Sequence, residues 1–126
     1  MNLYFLSLLE KYFIEKDGYS LLLPFGVLDY FDVLDVKESP VELTIYLEEK
    51  NVIPEEYDSL KVHSKGFYEP VVLQDFPLRG RKVYLNVRRR RWYLVDRGEY
   101  VHRDWSLVAS GTRMTQEFAS FLKELH

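Results

Sequence analysis

The residues in this chain best equipped for chemistry are four consecutive arginines, Arg88–Arg91, followed by Trp92 and Tyr93. A guanidinium carries a fixed charge and a planar fork of donors that matches phosphate oxygens. Lys65, Arg79, Arg81, Lys82 and Arg103 add cations on either side of the run, and Arg113 follows. Tyr84, Trp92 and Tyr93 interleave with the charges, so π-faces are present for stacking on bases or for packing under guanidinium groups. A patch of this composition would bind phosphate mostly without sequence preference and in a salt-dependent way. The same arginines could instead pair with the protein's own carboxylates, because a charge run has no fixed geometry that decides between the two.

Other chemistry has less to work with. The histidines are His63, His102 and His126, and there is no cysteine. No HxH or HxxxH pair is present, so a metal site would need ligands gathered from distant segments, and none is expected. Asp75 precedes Phe76-Pro77 at a strand end, where it can cap a turn. Asp104 follows Arg103 and can pair with it or with a strand arginine. Acid–base catalysis would require such carboxylates to converge in a pocket. No nucleophile motif, GxGxxG or P-loop occurs, and "GTRMT" is too short to count as one. Neither an enzyme nor a cofactor is indicated.

The charge is unevenly divided. Residues 1–60 hold 4 Lys/Arg and 13 Asp/Glu, a balance of −9, and residues 61–126 hold 13 and 7, a balance of +6, giving −3 for the 126 residues. Such asymmetry suggests a polyanionic partner for the basic half, or an acidic half that docks onto the basic half. No stretch approaches the about 18–20 apolar residues that span a bilayer. The opening "MNLYFLSLLEKYFIEK" lacks a basic n-region and a small-residue cleavage site, so an amphipathic helix is expected rather than a signal peptide. The absence of cysteine fits a reducing, cytoplasmic setting.

The elements that must position the arginines follow from periodicity. Leu3, Leu6, Leu9, Tyr12 and Phe13 recur at helical spacing, and Asp17-Gly18 ends that helix. Pro24 can begin a second short helix through Val27, Leu28, Tyr30 and Phe31. In "PVELTIYLEEKN", Val41, Leu43, Ile45 and Leu47 alternate with Glu42, Thr44, Tyr46 and Glu48, which predicts a strand with one wet face. "LKVHSKGFYEPVVLQDF" predicts two short strands joined near Lys65-Gly66, or one strand bulged there, with Pro70 at an edge or bulge. "PLRGRK" is a turn, "VYLNVRRRRWYLV" the longest strand, and Asp96-Arg97-Gly98 a hairpin turn into "EYVHRDW". Thr115 can cap a last helix with Phe118, Phe121 and Leu122 along its apolar stripe. That stripe is expected to be core, with part of it able to face a partner.

The fold expected is therefore a single α+β domain: a helical part over residues 1–35, an antiparallel meander of four to five strands over 40–105, and a C-terminal helix over 112–126. Within the long strand, Val83, Leu85 and Val87 share a face with Arg89, Arg91 and Tyr93, while Tyr84 and Asn86 share the other with Arg88, Arg90 and Trp92. The apolar face turns basic partway along. Either the strand runs past the edge of the core or a bulge shifts its phase.

Taken together, "PVELTIYLEEKNVIPEEY", "HSKGFYEPVVLQDFPLRGRKVYLNVRRRRW" and "RDWSLVASGTRMTQEFASFLKEL" resemble insertion-sequence transposase N-terminal region proteins, from about Leu21 to the end. These look like the first of two reading frames of a bacterial mobile element, the second carrying a DDE-type catalytic domain. A more distant similarity is to the zinc-ribbon region of single-chain transposases. Its pattern is matched by Asp75-Phe76-Pro77, Gly80-Arg81, Val83, Leu85, Val87 and Arg88–Arg90. Those relatives continue into zinc-binding cysteine pairs, whereas Trp92, Tyr93 and Leu94 stand here. The resemblance therefore implies a degenerate zinc-ribbon-like long hairpin without metal, with Trp92 as the aromatic anchor in its place. Thr115-Gln116-Glu117-Phe118 matches the helix that opens the relatives' helix-turn-helix, but no recognition helix follows, so complete major-groove reading is not expected.

The resemblance implies a non-catalytic, DNA-binding accessory subunit of a transposition system that engages the element's terminal repeats through a basic β-surface. Lys65, Arg79, Arg81, Lys82, Arg88, Arg89, Arg90, Arg91 and Arg103 would contact phosphates, and Trp92 or Tyr84 would add stacking or groove contacts. The alternative is a protein-interaction module. Its acidic half and last helix would dock on the separate catalytic transposase or on a second copy in a homodimer, and its arginine strand would pair with carboxylates and have little DNA affinity.

Overall fold

A computed structural model describes Leu23, residues 26–105, Val108 and residues 121–125. The helix expected over the first sixteen residues, its Asp17-Gly18 stop, Arg113 and the Thr115 cap lie outside the described residues.

The described chain is mixed and sheet-rich. One helical turn, α1 (Val27–Tyr30), leads directly into β1 (Phe31–Glu38). β2 (Glu42–Glu49) is followed by a 3₁₀ turn at Glu55–Tyr57, β3 (Val62–Phe67) and β4 (Val71–Leu78). Then come β5 (Arg81–Arg88), β6 (Arg90–Leu94) and β7 (Glu99–Val101). The expectation of a helical part reaching residue 35 is corrected here. After one turn the Phe31–Glu38 segment extends, because Phe31, Val33 and Val36 serve a sheet face better than a helix face. An unpaired Leu34 makes this possible: the register slips between Val33 and Asp35, so Val36 returns to the core side opposite Ile45.

The meander is also corrected. Two sheets form, a four-stranded one in the order β1-β2-β5-β4 and a three-stranded one in the order β3-β6-β7. β2 and β5 run parallel, from Glu42 opposite Lys82 to Glu48 opposite Arg88, and the remaining pairs are antiparallel. A parallel pair needs a long crossover, and the chain supplies it by building β3 and β4 between β2 and β5.

Alternation packs the core. Leu43, Ile45 and Leu47 of β2 and Val83, Leu85 and Val87 of β5 are buried together with Leu73. Val27, Phe31, Trp105, Phe121, Leu122 and Leu125 cover that face. The Phe31 and Trp105 rings stack at 5.3 Å, with Phe121 edge-on to Phe31 at 5.7 Å. Phe121 and Leu122 are thus core, and residues 121–124 are helical. Thr44, Tyr46, Tyr84 and Asn86 line the other, half-exposed face. Val41 does not join the alternation: it precedes β2 and is exposed.

The local predictions around the hairpins hold. Arg79 and Gly80 form the two-residue link between β4 and β5, both with positive φ, 50° and 80°. That is the twist a tight antiparallel hairpin favours, and glycine adopts it at no steric cost. Asp96-Arg97-Gly98 turns β6 into β7 as expected, with the Gly98 N–H donating to the Leu94 carbonyl at 2.9 Å. Near Lys65-Gly66 both expectations are met in part. β3 carries a register slip between Ser64 and Phe67, and the true strand break comes later, at residues 68–70.

Candidate nucleic-acid interface

The long predicted strand is two strands. It breaks at Arg89, and the chain leaves the four-stranded sheet as β5 and enters the three-stranded sheet as β6. The buried positions change parity across the break, from Val83, Leu85 and Val87 to Trp92 and Leu94. This is the phase shift that allows arginine on both faces. Arg88 and Arg90 both turn to Glu48 and the Phe67 ring, while Arg89 and Arg91 go to other partners.

Arg88 donates from Nη2 to Glu48 Oε2 at 2.5 Å and lies 4.1 Å from the Phe67 ring centre. Arg89 donates from Nη1 to the Leu125 carbonyl at 3.1 Å, a favourable place for a cation at a helix C-terminus. Arg90 is more enclosed than Arg88, its side chain 15 % exposed against 39 %. Its Nη1 donates to Ser64 Oγ at 3.0 Å, its Nε to the Glu49 carbonyl at 3.2 Å, and its Nη2 is 3.6 Å from Glu48 Oε1. Arg91 donates from Nε to the Lys65 carbonyl at 3.0 Å and lies 4.5 Å from the Tyr100 ring centre.

Glu49 holds the switch together. Its side chain is in phase with Leu43, Ile45 and Leu47 and is 1 % exposed. Oε1 accepts the Arg90 backbone N–H at 2.9 Å, and Oε2 accepts Arg103 Nε at 3.1 Å. The backbone donor of Arg90 has left the β2–β5 ladder, which ends at Glu48 and Arg88. Glu49 supplies the acceptor that this buried donor requires. Arg103 also donates to the Val52 carbonyl and sits among the rings of Tyr30, Trp92 and Trp105. Burial pushes the Glu49 carboxyl above its ordinary value of 4.5, outweighing the hydrogen bonds and charges of Arg90 and Arg103, which pull it down.

Trp92 is fully buried, and its indole N–H donates to Asn51 Oδ1 at 3.2 Å. It offers no face for stacking on a base, which corrects that part of its expected role. Its place as the aromatic anchor where the strand changes sheets agrees with the sequence pattern. Tyr84 lies half-buried on the wet face of the four-stranded sheet. Arg81 pairs with Glu38 at 3.0 Å. Arg79 and Lys82 are exposed near the β4–β5 turn.

The candidate residues therefore divide. Arg88, Arg90 and Arg103 pair with Glu48 or Glu49, and Arg81 pairs with Glu38. Arg79 and Lys82 sit at one end of the larger sheet. Lys65 and Arg91 meet on the outer face of the smaller sheet, opposite the buried Trp92 and Leu94. Strand alternation and pairing put His63, Tyr93 and Tyr100 on that face as well, with His63 opposite Tyr93 and Tyr93 opposite Tyr100. The two tyrosine rings are 5.0 Å apart. None of these strand positions is a carboxylate: Glu99 pairs with Leu94 and belongs to the inner face. Among the described residues, Arg91 makes no hydrogen bond through its Nη groups, and Lys65 pairs with no carboxylate.

Sequence reasoning had not singled out Glu49 or Tyr100. Both were within reach of counting: Glu49 continues the Leu43–Leu47 alternation, and counting back from the Asp96–Gly98 turn puts Tyr100 opposite Tyr93.

Asp75 and Asp104 both have partners. Among the described residues, no group of three His, Asp or Glu is arranged to hold a metal ion, and no helix is long and apolar enough to cross a membrane. No family model matches the chain, and no match was found among curated proteins or among solved structures.

Proposed function

We propose that the chain is a non-catalytic accessory protein of a transposition system that holds DNA through a basic β-surface and works beside a separate DDE-type catalytic transposase. The observation that carries the DNA-binding part is the outer face of β3-β6-β7, where Lys65, Arg91 and His63 lie with two tyrosines and no carboxylate. Guanidinium Nη groups and an ammonium on an open sheet can reach phosphate oxygens without breaking internal pairs. The transposition setting rests on the sequence resemblance alone. The DNA surface is smaller than the arginine run suggests, because Arg88, Arg90 and Arg103 already have carboxylate partners.

That pairing favours a second reading, a protein-interaction module whose arginines serve its own fold. Titration of the full chain against terminal-repeat and scrambled duplexes at two salt concentrations separates the two. The DNA reading expects binding at low salt that weakens steeply as salt rises. It also expects Arg91→Ala and Lys65→Ala each to lower the salt slope by about one. No binding to either duplex at low salt, with retained binding to the catalytic transposase, would leave only the second reading.

A further inference from the structure

We infer that the outer face of β3-β6-β7 takes single-stranded DNA in preference to duplex, with Tyr100 as its stacking platform; this rests on the DNA-binding reading above. Tyr100 is 54 % exposed, although it lies in a strand with an ordered partner on one side. Its ring leans on Tyr93 across the hairpin, with the interplanar angle at 53°. The Arg91 guanidinium lies over the same ring. Tyr93 and Arg91 thereby hold the ring in place while leaving part of it open to solvent, so little conformational freedom remains to be lost when a base arrives.

The surroundings suit a strand rather than a helix of DNA. The face is a three-stranded sheet, with no helix among its strands to enter a major groove. The Arg91 guanidinium is 4.5 Å from the Tyr100 ring centre, so a base stacked on the open part of that ring would have its phosphate beside the cation. Lys65 continues the positive charge onto β3, where the bulge turns its carbonyl toward Arg91 Nε. Base–aromatic stacking needs an unpaired base, whereas phosphate contacts do not. The tyrosine and the cations thus separate the two kinds of ligand.

The test uses the full chain with a fluorescent oligothymidine and a duplex of equal length, titrated at low salt. The intact protein should bind the single strand more tightly. Tyr100→Ala should weaken single-strand binding on the order of tenfold and duplex binding by clearly less, while Tyr100→Phe should restore the single-strand affinity. The buried Trp92 and Trp105 report through their fluorescence whether the variants remain folded. Equal affinity for both ligands, or equal losses on both in Tyr100→Ala, would overturn the stacking inference and leave DNA binding standing. Absence of binding to either ligand would overturn both.

Discussion

Arg90 and Arg91 are neighbours on one strand and have opposite surroundings. Arg90 points inward, with its side chain 15 % exposed, and meets Glu48, Ser64 and the Glu49 carbonyl. Arg91 points outward, donates only from its Nε, to the Lys65 carbonyl, and lays its guanidinium over the Tyr100 ring. The difference comes from the side-chain alternation of a strand, not from residue type. It teaches that a run of arginines in a strand should be read as two populations. One pairs with the protein's own carboxylates, here the half-exposed Glu48, and the other remains available for an external anion.

The inner population is the place to expect the largest effects. Glu49→Ala removes the carboxylate that serves both the Arg90 backbone and Arg103, leaving the Arg103 cation without its carboxylate and the Arg90 N–H without its acceptor. A loss of about 3–5 kcal/mol in urea unfolding is expected, as for other broken buried pairs. A loss below about 1 kcal/mol would mean that water replaces the carboxylate, and that the inner site is as wet as the outer one.

Glu49→Gln sharpens the comparison through pH. Burial raises the Glu49 pKa above 4.5 in the folded protein. The native state then takes up this proton before the unfolded chain does as pH falls. The linked stability is full below the unfolded value and is lost as pH rises through the folded one. Glutamine does not titrate. The advantage of the unmodified protein over Glu49→Gln should therefore be widest in acid and narrow toward neutrality, in melts at about pH 4 and pH 7. An advantage that narrows in acid would show the two arginines outweighing burial.

Legibility in the sequence follows the same division. Local signals were readable: the alternation of Leu43, Ile45 and Leu47, and the Arg79-Gly80 and Asp96–Gly98 turns. The tertiary choices were not. Nothing near Phe31 announces that one helical turn gives way to a strand, since Phe31, Val33 and Val36 suit either period until a sheet is there to receive them. The parallel β2–β5 pairing depends on contacts far apart in the chain. Splitting of the long strand at Arg89 was foreshadowed by its change of phase, but only the Glu49 carboxylate waiting at the break explains why it happens there. Trp92, expected to anchor the hairpin or to stack on bases, is fully buried. One residue cannot be both fully buried and a face for bases.

At the boundary between the populations lies Glu48, which meets Arg88 and Arg90 from a half-exposed position. Glu48→Gln should cost about 1 kcal/mol or less, because solvent screens the pair and both arginines keep contact with the Phe67 ring. A cost approaching that of Glu49→Ala would move Arg88 into the buried group.

The smallest effect on stability belongs to Arg91→Ala, and it is the most informative about the outer face. Its guanidinium packs on an exposed tyrosine and gives one hydrogen bond to a backbone carbonyl, so unfolding free energy should change by no more than about 0.5 kcal/mol. If that face binds DNA, the same substitution should still lower the salt slope of binding by about one. Stability and binding would thus be separable at Arg91. At Arg90 they would not, since any variant that frees its guanidinium also takes away the Ser64 hydrogen bond and one of the two arginines on Glu48. A destabilisation at Arg91 as large as that at Arg90 would show that the outer arginine is structural too. The strand would then have no free cation of its own, leaving Lys65 as the principal charge on that face.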